Sequence, residues 1–286
     1  MNELQTIQNV PGISTGISFP DYLELPGLNA SLLKKLMRSP MAYKWALDHP
    51  NNSASASMLL GTATHAAILE PYRMASEFIV WDGERRGKAW TEFKESNSSR
   101  QILTSAESAK VQAMRDAVCD YPPAARYFEN GIAEVTMQWI DPATGRAMKG
   151  RIDWVTEIDG QIVLTDLKTT RDVNSRKFGS DAYKLGYHIQ FSLYTDGWFH
   201  LTRKTPRFVV IAVENDAPFE PAVFDVSEDL LALGHEEYMG HLSTLKTCEE
   251  ANTWPPKVQE EQPLQLPAWA LNEDEDLSDI GLDLTV

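Results

Sequence analysis

Apolar residues recur along this chain in two rhythms. Between Ala133 and Ile140 (AEVTMQWI) they alternate with polar ones, the period of a half-buried strand, and the turn signal DPATG follows. RAMKGRIDWVTEI and QIVLTDLKTT are longer runs joined by Asp159-Gly160, a dipeptide suited to a two-residue hairpin turn. RFVVIAVEN (207–215) and AVFDVS (222–227) predict two more strands. The flanks carry helical signals. Asn29-Ala30-Ser31 caps LLKKLMRS, which stops at Pro40, and MAYKWALDH ends at Pro50. MLLGTATHAAILEP (58–71), residues 104–120, SDAYKLGYHIQFSLYTDGWFH (180–200) and residues 228–247 predict four further helices. Residues 82–100 are polar and basic, a loop with a short helix. No internal repeat is visible. The pattern predicts an α/β fold. Residues 1–27 read as an N-terminal loop segment rich in Pro and Gly, 28–254 as the folded domain, and 255–286 as an acidic linker and tail.

Composition narrows the classes. The 286 residues are 43% hydrophobic and 9% aromatic, enough for a sizeable core. No apolar run reaches about 18 residues, so no membrane-spanning helix is expected. MNELQTIQNV lacks the basic and apolar regions of a secretory signal. Cys119 and Cys248 are too few for a disulfide framework or a cysteine-built zinc or iron–sulfur site, and a reducing cytoplasm is the expected setting. The net charge of −15 argues at first against a nucleic-acid partner. From Lys257 onward, however, eight acids face one lysine, so nearly half of the excess lies in a tenth of the chain. The remainder is free to carry a local basic groove.

The hairpin is where chemistry concentrates. With a two-residue turn, Ile158 pairs with Gln161, and the register runs outward to set Asp153 directly opposite Asp166. Counting from the turn, this is a non-hydrogen-bonded pair, with Cβ atoms roughly 4.5–5.5 Å apart. Lys168 follows on the same face. Like charges directly opposite destabilise a sheet, and two facing carboxylates are tolerated when a divalent cation lies between them. A lysine beside them would orient a water or steady charge on a phosphate. The alternative is a buried Asp–Lys salt bridge beside an unrelated surface aspartate. A bulge would break the alignment.

Asp153, followed after a short hairpin by Asp166-Leu167-Lys168, resembles the core of the PD-(D/E)XK nucleases. The GTATHAAILEP helix with His65, and the later Gln190-x-x-x-Tyr194, look like the RecB-type branch. The G-x-x-x-H helix, the G-R-I-D…D-x-K-T hairpin and the S-x-L-x-x-L-x-x-S-P-x-x-Y opening from Ser31 to Tyr43 are similar to the exonuclease VIII (RecE) family. The likeness covers roughly 28–245. It implies a restriction-endonuclease-like fold, a mixed central sheet flanked by helices. It implies that Asp153, Asp166, the Leu167 carbonyl and His65 hold Mg²⁺ or Mn²⁺, that Lys168 positions the attacking water, and that Tyr187, Gln190 and Tyr194 border the site and hold DNA. The implied activity is 5′→3′ degradation of double-stranded DNA ends, leaving 3′ single strands for recombination. A ring-shaped homo-oligomer, a tetramer, and a phage or prophage protein in a bacterial host cell are implied as well. Some RecB-type relatives carry an iron–sulfur cluster on four cysteines; with two distant cysteines, none is expected here. No membrane partner is expected, and no G-x-x-x-x-G-K-[ST] motif is present.

Three readings stay open. Glu134 is a further candidate ligand: a five-residue DPATG loop sets it opposite Ile152, on the wrong face, and a four-residue loop or a bulge near Gly150 sets it opposite Asp153. Arg85, Arg86 and Lys88, with Trp90, are either a solvated loop or a phosphate contact at the duplex end, and Lys34, Lys35 and Arg38 are similar candidates. In the tail, AWALNEDEDLSDIGLDLTV interleaves acids with Trp269 and leucines, which suits a segment that folds on a single-strand annealing or single-strand-binding protein, or one that mimics DNA over the basic groove. Tyr183, Tyr187, Gln190, Tyr194 and Trp198 share one face of a continuous helix. An endonuclease of the same core and a non-catalytic DNA-binding scaffold are the rival functions.

Overall fold

A computed structural model describes residues 10–50 and 55–266, together with Leu4 and Ile7. The tail from 267 onward lies outside the described residues. In chain order the elements are strand β1 (Ile13–Ser14), helix α1 (Phe19–Glu24), α2 (Ala30–Leu33) continued by a tighter turn over Lys34–Met37, and α3 (Pro40–Asp48). Next come α4 (Ala56–Leu69), α5 (Pro71–Glu77), β2 (Phe78–Trp81), α6 (Gly87–Ser96), β3 (Gln101–Thr104), α7 (Ser105–Cys119) and α8 (Pro122–Phe128). The central strands β4 (Gly131–Ile140), β5 (Ala147–Ile158) and β6 (Gln161–Thr170) follow. The chain continues through α9 (Ser175–Lys184), α10 (Tyr187–Thr202), β7 (Arg207–Glu214), β8 (Pro221–Asp225) and α11 (Glu228–Ala251).

Six strands form one mixed sheet in the order β1-β4-β5-β6-β7-β8, parallel only between β6 and β7. One face is buried under α10 and α11, where Ile189, Phe191, Leu193, Trp198, Leu242 and Leu245 meet Met137, Ile152, Val155 and Leu164. The other is covered by α4 and α7, whose Ala63, Ala67, Val111 and Met114 meet Val163, Leu167, Val209 and Ile211. Helices on both faces explain why these strands read as apolar runs rather than strict alternations.

Several readings change on contact with the fold. The Pro/Gly-rich stretch before residue 28 is not all loop. Ile13 and Ser14 extend the sheet beside β4, and Ser18 accepts the Asp21 N–H to cap α1. Pro122-Pro123, just past the predicted helix over 104–120, opens a further one: proline is tolerated in a helix's first turn, and α8 starts there. Phe78–Trp81 and Gln101–Thr104 form a small parallel sheet of their own, a pairing across twenty residues that local pattern does not announce. The predicted helix over 180–200 is two helices. Gly186 sits at φ +68° between them, so Tyr183 lies on α9, exposed and stacked on His188, apart from the Tyr187–Trp198 face.

Gly186 also packs directly on Lys34 and Met37, where an added Cβ would come within 2.6 Å of the Met37 sulfur. Left-handed backbone costs an L-residue about 1–2 kcal/mol, and the clash adds to it. Gly186→Ala is therefore expected to lower unfolding free energy by about 2–3 kcal/mol in urea titration, with no change in the slope.

Candidate active site

The β4–β5 turn settles where Glu134 lies. Asp141 N–H donates to the Arg146 carbonyl at 2.8 Å, closing a four-residue turn, and the Asp141 carboxylate accepts Thr144 N–H at 2.8 Å. The ladder then pairs Val135 with Ile152 and Ala133 with Trp154, which leaves Glu134 opposite Asp153. Both residues stand out of the ladder. Glu134 takes φ +53°, uncommon for a side chain of its size. Val135 and Ile152 face the α10–α11 core, whereas Ala133 and Trp154, two positions along each strand, face the α4–α7 core. Two-residue spacing should keep them on one face. Both strands therefore turn over at this pair, and the two acids are held where the alternation breaks.

The β5–β6 hairpin follows the expected register from Ile158–Gln161 to Trp154–Thr165 and then stops. The next hydrogen-bonded step would join Leu167 to Ile152. Instead Leu167 N–H donates to Asp153 Oδ2 at 2.8 Å. Asp153 and Asp166 are thus not a regular facing pair: the Asp153 carboxylate wedges between the strands while Asp166 keeps its place on the α10 side. Amide and carbonyl of a strand residue point to the same edge. The Leu167 carbonyl therefore projects toward the fork that Asp153 opens.

Two groups of side chains meet at this fork. On the α10 side, Asp166 is buried, with Lys168 Nζ at 2.5 Å from one oxygen and Gln190 Nε2 donating to the other at 2.9 Å. Lys34 Nζ donates to Gln190 Oε1 at 3.1 Å, which fixes the amide's orientation. The Tyr187 ring has Lys168 Nζ at 4.9 Å and Lys34 Nζ at 5.5 Å from its centre. On the α4 side a cleft of about 600 Å³ is lined by Asp153, Glu134, Arg151 and His65 among others. His65 Nδ1 lies 3.5 Å from Asp153 Oδ2, and Arg151 Nε 2.6 Å from Glu134 Oε2. Arg73 reaches the same cleft, held by Glu70 and bidentately by Glu77.

The acids strain one another. Burial, with Asp153 opposite, pushes the Glu134 carboxyl up to about 8 against the pull of Arg151. Burial also raises Asp166, with Lys168 opposing and Asp153 adding. For Lys168, burial acts to lower the ammonium, and Asp166 and Asp153 outweigh it and hold it above its ordinary value. Lys34 is lowered to about 8 by burial and by Lys168.

The structure departs from the sequence reading in three places. Tyr194 is buried beneath Gly150, where an added Cβ would meet its ring at 2.9 Å, so it supports the strand and faces no open surface. Arg85 is paired with Glu107 at 3.0 Å, Arg86 with Glu84 and Lys88 with Glu92 at 3.5 Å, and none of the three lines the cleft. His65, Asp153 and Asp166 come together at the fork without forming, among the described residues, a cluster of three closed at metal-binding distance. The donor set nonetheless fits a divalent cation. Carboxylate and carbonyl oxygens suit Mg²⁺, and three acids gathered at one point, with Glu134 and Asp166 pushed up by burial, are what a cation would relieve. Arg151 was missed. Its signals were its place as an arginine in an apolar strand, two residues before Asp153, and as the second residue of G-R-I-D.

This mixed six-stranded sheet with helices on both faces and an acid–acid–lysine fork at its centre is a restriction-endonuclease-like domain of the PD-(D/E)XK nuclease class. The chain belongs to the family described as PDDEXK-like domain of unknown function (DUF3799), whose model matches residues 29–262. Among solved structures, one described as "Putative exonuclease" from Eubacterium rectale superposes with a TM-score of 0.59 at 13% identity, covering 88% of this chain and 97% of that one. SSO0001 (TM-score 0.28, 13% identity, 73% and 83% covered) and VC1899 from Vibrio cholerae (0.21, 12%, 83% and 62%) are far weaker and carry no weight here. No curated protein matches the chain. No helix among the described residues is long and apolar enough to cross a membrane.

Lys34 offers a test of this electrostatic arrangement. Its folded value, about 8, lies below the ordinary 10.5, so its charge destabilises the fold. That deficit is fully present below pH 8 and is relieved as pH rises toward 10.5, where the unfolded state loses its proton too. Lys34→Met in the presence of chelator is expected to be more stable than wild type by about 1–3 kcal/mol at pH 7. The gap should narrow between pH 8 and 10.5 in denaturant titrations.

Proposed function

We propose that this protein is a divalent-metal-dependent deoxyribonuclease that degrades linear double-stranded DNA from its ends, 5′→3′, leaving 3′ single strands for recombination. The observation that carries this reading is the fork itself: Asp153 held between strands, Asp166-Leu167-Lys168 on the neighbouring strand, and Glu134 directly opposite Asp153. A structural salt bridge has no use for the third acid, which costs stability where it stands. The exonuclease direction and the recombination setting rest on the motif resemblance, in a reducing bacterial cytoplasm.

Asp153, Asp166, the Leu167 carbonyl and His65 would hold Mg²⁺, or Mn²⁺, which when bound supplies Lewis-acid polarisation of a phosphate and a more acidic water. The chain's own groups do the rest. Lys168 keeps its proton beside Asp166 and Asp153, so it acts as a fixed positive charge that orients water and steadies phosphate oxygens, not as a base. Gln190, itself oriented by Lys34, holds Asp166 in one rotamer. Arg151 keeps Glu134 paired until substrate and cation enter.

Digestion of linear and covalently closed duplex DNA tests the proposal. Mononucleotide release from the linear form alone, lost with EDTA and by at least about 10³-fold in Asp166→Ala, is expected. Cutting of closed circles would make it an endonuclease, and binding without cleavage a scaffold. We further propose that the acidic tail 268–286 docks a single-strand annealing or single-strand-binding protein and that the nuclease works as a ring-shaped oligomer. Removing 267–286 should abolish pull-down of such a partner and leave digestion rates within about twofold; faster digestion would favour the DNA-mimic reading.

A further inference from the structure

The cleft has a wall that the family match does not include. Ser18, Phe19 and Pro20 line it, and they precede residue 29, where the match begins. The wall belongs to α1, and α1 is fastened with unusual care for six residues. Ser18 caps its start, and Tyr22 is buried beneath it. At its end Lys149 of β5, itself buried, donates to the carbonyls of Tyr22, Leu23 and Leu25 at 3.1, 2.9 and 2.6 Å. An ammonium at the last carbonyls of a helix satisfies acceptors that have no partner within it. Two residues along the same strand, Arg151 stacks on the Phe19 ring at 5.5 Å while binding Glu134. Two residues further stands Asp153.

Phe19 gains little from this for stability. It is 50% exposed and lines the same cleft as Glu134 and Asp153. The ring is carried on the helix, stacked on Tyr22 at 6.3 Å between centroids and backed by the Arg151 guanidinium, and half of the residue's surface stays open. An aromatic face fixed beside a phosphate-handling site matches one substrate component, the nucleobase, because every base has a π-face that stacks without sequence readout. A guanidinium bonded to Glu134 and stacked on the same ring couples that surface to the acids.

Building on the nuclease reading, we propose that Phe19 is a substrate-positioning residue, stacking against a base next to the phosphate that is cut. The test is a double-mutant cycle in protein and DNA. Linear duplexes carrying a single abasic nucleotide, moved one position at a time through the terminal few, are digested by wild type, Phe19→Ala, Phe19→Leu and Phe19→Trp, with thermal melts confirming folding. Expected is a roughly tenfold rise in KM for the alanine and leucine variants with kcat within about twofold, and recovery with tryptophan. At one position base removal should cost wild type the same factor and cost Phe19→Ala nothing more. Unchanged KM in Phe19→Ala, or abasic penalties that simply add to the substitution, would overturn the stacking role and leave the nuclease standing. Intact wild type that neither binds nor cuts any duplex would overturn both.

Discussion

The hydrogen bond from Leu167 N–H to the Asp153 carboxylate, 2.8 Å long, is the contact on which the site depends. It replaces a ladder bond that an uninterrupted hairpin would make between Leu167 and Ile152. Replacing one bond with another costs little net energy, whereas leaving the buried amide unpaired would be expensive. The exchange lets the two strands fork while the Leu167 amide keeps a partner. At the same position both β4 and β5 turn over, so Glu134 and Asp153 leave the ladder together. Irregularities of this kind re-aim side chains at functional sites, and here they bring three carboxyls together in the middle of an otherwise apolar sheet.

The strain of that gathering is managed by cations on either side. Lys168 and Lys34 lie on the α10 face and Arg151 and Arg73 on the α4 face. None of the four is a free surface charge: each is bound to the site or to an acid bordering it. The net charge of −15 is therefore a poor guide to the cleft. What matters to a polyanionic substrate is the local balance at the fork, and that balance would shift further on metal binding.

Strand β5 organises the molecule in a second way. Its alternate residues Lys149, Arg151 and Asp153 fasten α1, stack on Phe19 and form the fork, in that order. A short helix preceding the family domain is thereby built into the wall of its cleft. A truncation guided by the family boundary would remove it. Helix α10 plays the corresponding part on the opposite face, with Gln190 on Asp166, Tyr187 between two lysines and Tyr194 under Gly150.

Much of this was legible along the chain, because it rests on periodicity and on short-range turn chemistry. Asp159-Gly160 set the hairpin register through Trp154–Thr165, and the apolar runs marked strands covered on both faces. The fork residues Asp153, Asp166 and Lys168 stood out as charges where burial penalises charge. Other features belong to long-range packing, which local pattern does not encode. The turn of the strands at Glu134, the break at Gly186, the burial of Tyr194 and the pairing of the Arg85–Lys88 patch each depend on what lies across the fold. So does the cleft wall at Phe19, whose stretch reads as loop until Lys149, more than a hundred residues away, supplies the ammonium that ends its helix.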